Sequence, residues 1–141
     1  MLSNGADEVL AKKMQDFGTY TGIAFQIKDD LFDYLSKNII GKPVGIDIKE
    51  QKMTLPLIYT LNSAKEIDRK YFFNIIKKHN NNQSKVKELI EFVKKSGGLD
   101  YAIGVMKDYQ QKAKNILAEF PDSEAKHSLN LMLDYVIERK F

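Results

Sequence analysis

The chain has 141 residues, 43% of them hydrophobic and 29% charged, with a formal net charge of +3, which suits one water-facing domain with a real core. It contains no cysteine, so disulfides and thiolate metal sites are excluded. The lysines are interleaved with acids along the whole chain rather than gathered on one face, which argues against nucleic-acid binding, and no apolar run reaches the ~20 residues that span a bilayer.

Glycine and proline are few, and periods of 3.6 residues dominate. The first helix is read over Phe17–Lys37. The stretch "NIIGKPVGIDIKEQK", Asn38 to Lys52, follows; it holds two glycines and a proline and has no helical period. At about 15 residues it is long for a connection in a compact helical domain, and such loops are usually functional or disordered. Thr54 and Pro56 open the next helix, because proline is tolerated in a first turn. Ile67, Tyr71, Phe72, Ile75 and Ile76 mark another, with Ser63 and Glu66 as its expected capping box. "NNNQ", Asn80 to Gln83, reads as a loop. Val86, Leu89, Ile90 and Val93 mark a helix that "SGG", Ser96 to Gly98, ends. A longer helix runs from Leu99 to Phe120 and stops at Pro121, and a last one follows Asp122 or Ser123, with Leu129, Met132, Leu133 and Val136 facing inward. The expectation is an all-α helical bundle of about six helices, a single domain over residues 1–141. No signal-peptide pattern opens the sequence, so a cytoplasmic location is expected.

Within the first helix, "FQIKDDLFDYL" sets three aspartates among phenylalanine, isoleucine and leucine. On a helical wheel Gln26, Asp29, Asp30 and Asp33 fall within a wedge of roughly 100°. Ile23, Ile27, Leu31 and Tyr34 border it on one side and Phe25 and Phe32 on the other, the pattern of a helix lining a polar cleft. Asp29 and Asp33 are one turn apart and would repel each other without a cation. An all-oxygen set with no His or Cys suits a hard ion such as Mg²⁺, which completes its shell with water and substrate phosphate. Spacing alone leaves open a competing reading, a solvated acidic patch with local lysine pairs. Lys42 and Lys52, on the glycine-containing segment that returns toward this helix, favour a diphosphate trap, since lysine is a compact point charge suited to phosphate.

"FQIKDDLFDY" followed by "GKPVGIDIKEQKMTLPL" resembles the second aspartate-rich motif and downstream loop of the trans-isoprenyl (polyprenyl) diphosphate synthases, in which the pattern reads F-Q-x-x-D-D-x-x-D, then G-K-x-x-G-x-D-x-x-x-x-K-x-T-x-P. The match runs unbroken from Phe25 to Pro56. This resemblance implies the isoprenoid synthase fold and a Mg²⁺-dependent transferase of isoprenoid biosynthesis that joins an allylic diphosphate to isopentenyl diphosphate. It implies Asp29 as the main Mg²⁺ ligand, Asp30 and Asp33 on the same ion directly or through water, Gln26 beside the allylic diphosphate, Lys42 on its phosphate oxygens with Lys52 in support, and a structural Asp47. Arg139 and Lys140 match a basic tail that helps close over isopentenyl diphosphate.

The first aspartate-rich motif of that family is missing, so the chain is expected to be the C-terminal portion of a longer, homodimeric enzyme, and to be inactive alone. Three other readings compete. The noncatalytic subunits of heteromeric prenyl synthases tend to lose the aspartates, which this chain keeps. Terpene cyclases generally lack the lysine-containing loop. A helical adaptor with an acidic face would leave the joint spacing of Gln26, the aspartates and both lysines to chance.

Overall fold

The computed structural model describes residues 5–35 and 45–138. These residues form seven helices and no strand: α1 (Gly5–Leu35), α2 (Ile46–Lys49), α3 (Leu55–Ser63), α4 (Glu66–Lys78), α5 (Gln83–Lys95), α6 (Gly98–Ala118) and α7 (Glu124–Glu138). The all-α expectation holds. α1 begins well before Phe17, because Leu10, Ala11, Lys12, Lys13, Met14 and Gln15 are good helix formers and Asp7 and Glu8 suit the positive end of the helix dipole. The seventh element is α2, a single turn inside the segment expected to be irregular.

The chain divides into two compact units. Among the described residues, one takes in α1 as far as Lys28 and the chain from Val105 to the end of α7; the other is Asp29–Gly104. In the first unit Phe17, Ala113, Leu117 and Leu133 form a buried core, against which Tyr20, Ile116, Phe120 and Leu129 pack. Ser123 caps α7 as expected, its hydroxyl accepting from the Lys126 amide at 3.1 Å. Met132, expected inside, is exposed, and Ile137 takes a buried place with Leu133 and Val136. Lys28 is buried, and its ammonium donates to the Ile137 carbonyl at 2.8 Å.

In the second unit α3, α4 and α5 pack on one another. Leu57, Leu61, Phe72, Ile75, Ile76, Val86, Leu89, Ile90 and Val93 supply the buried face, and the Phe72 and Phe92 rings stack at 4.2 Å. The Ser63–Glu66 capping box does not form. Ser63 is the last residue of α3, and Lys65 precedes α4 without a side-chain cap. Arg69 closes the end of α3 from the next helix: its guanidinium donates to the carbonyls of Leu61 at 2.8 Å and Ala64 at 3.1 Å. On α4 the inward face is Phe72, Ile75 and Ile76, while Ile67 is 77% exposed. Gln83 belongs to α5, whose cap is Asn82, accepting from the Lys85 amide at 3.2 Å. Gly97, at φ 81, ends α5 in the left-handed region, as the "SGG" stretch predicts. Gly98 then lets α6 approach α3 closely: a Cβ there would lie 2.5 Å from Thr60 Oγ1 and 2.7 Å from the Pro56 carbonyl. No helix among the described residues is long and apolar enough to cross a membrane.

Candidate functional site

The acidic turn of α1 and the segment Gly45–Thr54 meet within the second unit. Proline at Pro56 and the buried Thr54 fix where α3 begins, so the segment before it must come back past the end of α1. Four side-chain contacts hold it there. Asp33 Oδ1 accepts from the Ile46 amide at 2.9 Å, and Asp33 Oδ2 from the Asp47 amide at 3.2 Å. Lys52 Nζ lies 3.3 Å from Asp30 Oδ1. The hydroxyls of Tyr34 and Thr54, both buried, are hydrogen-bonded at 3.2 Å. Backbone bonds add to these, with Gly45 donating to the Asp33 carbonyl at 3.3 Å and Lys52 to the Asp47 carbonyl at 2.8 Å.

Burial and charge shape the titration of these groups. Burial lifts the Asp33 carboxyl above the usual carboxylate range, against the pull of the amides of Asp47, Ile46 and Gly45. Asp47 is lifted by its burial and then by the neighbouring Asp33. The Asp30 carboxylate, by charge and hydrogen bond, holds the Lys52 ammonium above its ordinary value, so it stays cationic. Burial pushes the Tyr34 phenol up, well beyond the hydrogen bond that opposes it.

The expected site residues are therefore distributed as follows. Asp29 and Gln26 are exposed on α1. Asp30 is only 7% exposed and faces Lys52. Asp33 is half-buried and faces α2. Lys52 is brought to the acidic turn, as its place on the returning segment implied. Asp47 orders the segment through its backbone, donating to Asp33 and accepting from Lys52. Lys42, Arg139 and Lys140 lie outside the described residues.

Among the described residues no group of three or more His, Cys, Asp or Glu side chains is gathered to hold a metal. The reason is visible in the contacts. Lys52 and the amides of α2 supply to Asp30 and Asp33 the positive partners that a cation would otherwise provide. The donor chemistry suits a hard ion, but the arrangement does not fit a three-carboxylate cage. Sequence reasoning missed the hydrogen-bonded Tyr34–Thr54 pair, the buried Lys28 and the cap on α2. The only sequence signal for the cap was the glycine and aspartate flanking Ile46.

Comparison with known proteins matches the family model "Polyprenyl synthetase" over residues 1–93. The chain belongs to the polyprenyl synthetase family. Its relatives include the short chain isoprenyl diphosphate synthase of Methanothermobacter thermautotrophicus, 36% identical over 141 residues, which cover 99% of this chain and 42% of that protein. Heptaprenyl diphosphate synthase component 2 of Bacillus subtilis is 33% identical, with 99% of this chain and 39% of that one covered. Among solved structures, geranylgeranyl pyrophosphate synthase from Bacteroides thetaiotaomicron superposes with a TM-score of 0.84 at 36% identity, over 98% of this chain and 44% of that one. The chain thus has the isoprenoid synthase fold and spans about two fifths of the length of these relatives.

Proposed function

We propose that the protein catalyses head-to-tail condensation of an allylic diphosphate with isopentenyl diphosphate, this chain supplying the acidic turn and its basic return segment. The allylic C–O bond breaks and diphosphate leaves with the electron pair. The double bond of isopentenyl diphosphate attacks the allylic carbon, and loss of a proton restores a double bond. Charge grows on the leaving oxygens, so cations placed beside them lower the barrier. In this reading Lys52 and Lys42 face the leaving diphosphate, Gln26 lies beside it, and Arg139 serves isopentenyl diphosphate. Mg²⁺ dependence belongs to the same proposal. Asp29, the exposed carboxylate of the three, would meet the ion, and Asp30 and Asp33 would reach it only by exchanging the partners described above.

The observation that carries the reading is the 3.3 Å contact between Lys52 and Asp30, which joins the two halves of the compound motif in one place. The names of the relatives span short-chain, heptaprenyl and octaprenyl products, so the proposal is confined to the bond-forming step. A homodimer of the whole protein is part of it; one relative is named as component 2, which makes an unlike subunit the other outcome of a sedimentation experiment. The decisive test is a chimera in which these 141 residues replace the matching region of the Methanothermobacter synthase. Prenyl product that requires Mg²⁺ and is lost in Asp29→Ala supports the proposal. A folded chimera that binds both diphosphates and forms no product overturns it.

A further inference from the structure

We propose that Asp33 is a positioning residue: its carboxylate caps α2 and so fastens the return segment to the end of α1, instead of serving as a metal ligand. A helix of four residues cannot persist on propensity, because nucleation fixes several dihedrals for one hydrogen bond. Its first amides need acceptors. The usual source is an Asp, Asn, Ser or Thr side chain at the N-cap, but that position is Gly45, which has none. Such a residue would be strained there. Gly45 has φ 88, and a Cβ would lie 2.8 Å from Val86 Cγ1. The acceptor must come from elsewhere, and Asp33 provides both its oxygens, at 2.9 Å to Ile46 and 3.2 Å to Asp47. A negative group at this end also suits the helix dipole. The carboxylate thus does across the fold what the N-cap residue cannot do locally.

Asp30 acts in parallel on the far end of the segment, through Lys52 at 3.3 Å. On the prenyltransferase reading, on which this part of the inference rests, the two aspartates set where the lysines of the segment stand. The cap itself can be tested without activity.

The test uses the ¹⁵N-labelled 141-residue chain in EDTA, comparing the parent with Asp33→Ala, Asp33→Asn and Asp29→Asn. Metal ligation and capping predict opposite signs. A carboxylate awaiting a cation repels its acidic neighbours, so its removal in EDTA should raise the melting temperature. Removal of a cap lowers it. We expect Asp33→Ala to melt lower and to speed hydrogen exchange at the Ile46 and Asp47 amides by about tenfold or more. Asp33→Asn, which keeps one carbonyl acceptor, should expose mainly one of the two amides. Asp29→Asn should leave both amides as they are. If Asp33→Ala does not fold in EDTA, that loss itself supports the cap, and Asp33→Asn supplies the amide readout. Unchanged exchange at Ile46 and Asp47 in both Asp33 variants, or a higher melting temperature in EDTA, overturns the proposal. Failure of the chimera to make product would count against the proposed function and leave this readout intact.

Discussion

The Asp30–Lys52 pair gives the most demanding test of how the site is held. At 3.3 Å and an effective dielectric constant of about 20, the Coulomb attraction is of order 5 kcal/mol before any cost is counted. Two terms reduce it. The Lys52 side chain is 46% exposed, so water and salt screen it as they do a surface pair, worth about 0–1 kcal/mol. The Asp30 side chain is only 10% exposed, and a carboxylate buried to that degree loses more when its compensating cation is removed. A mixed pair of this kind should show a coupling energy of about 1–2 kcal/mol in a double-mutant cycle of Asp30→Asn and Lys52→Met. The single variants should be unequal. Lys52→Met leaves a buried charge less compensated and should destabilise more than Asp30→Asn, which keeps the shape and removes the charge. Urea unfolding of the four proteins at low salt measures the cycle, and repetition near 1 M salt, where the Debye length is about 3 Å, should shrink it. A coupling energy within about 0.3 kcal/mol of zero at low salt would refute the claim that this ion pair holds the return segment.

Three further predictions use contacts elsewhere in the molecule. Gly98→Ala should destabilise by about 1–3 kcal/mol, because the new methyl meets Thr60 Oγ1 at 2.5 Å and a backbone carbonyl at 2.7 Å, whereas Gly104→Ala, in the same helix with nothing within 4 Å, should stabilise by about 0.5–1 kcal/mol; equal effects in thermal unfolding would sink the packing argument. Lys28→Met should cost about 1.5–3 kcal/mol, the range for a hydrogen bond to a charged group, and should speed amide exchange at the end of α7, and unchanged stability would refute it. The Tyr34 phenol is held protonated above its ordinary value of 10.0 by burial, so the folded state binds a proton that the unfolded state releases. Its contribution is complete below that value and is lost as pH rises above it, at up to about 1.4 kcal/mol per pH unit. Tyr34→Phe should flatten that alkaline decline, and identical slopes for parent and variant between pH 10 and 11 would show the prediction wrong.

Helical periodicity is a local property, and it made most of the fold legible. Val86, Leu89, Ile90 and Val93 are all buried where their spacing placed them, Ser123 caps α7, and one unbroken helix carries Gln26 through Asp33. The errors arose where tertiary packing, and not the local pattern, decided the outcome. Ser63 and Glu66 have the spacing of a capping box, yet Ser63 is taken up as the last residue of α3, whose terminal carbonyls accept from Arg69. Ile67 fits the apolar period of α4 and is exposed, because Phe72, Ile75 and Ile76 set which face turns in.

The candidate site shows the same division. That Asp29, Asp30 and Asp33 share one stripe follows from helix geometry alone, and so does the inference that their charge needs compensation. Which positive partner supplies it does not follow from spacing. A cation, a lysine and a helix N-terminus are electrostatically interchangeable answers to one buried carboxylate. The structure gives three different environments to three adjacent acids: Asp29 faces outward, Asp30 faces an ammonium, and Asp33 faces two amides. A motif read as a ligand set can therefore be, in part, the frame that sets a ligand in place. The distinction matters for substitutions at such motifs, since lost activity in an aspartate variant follows equally from a missing metal contact and from a displaced lysine. Only a measurement made without metal, on the frame itself, separates the two.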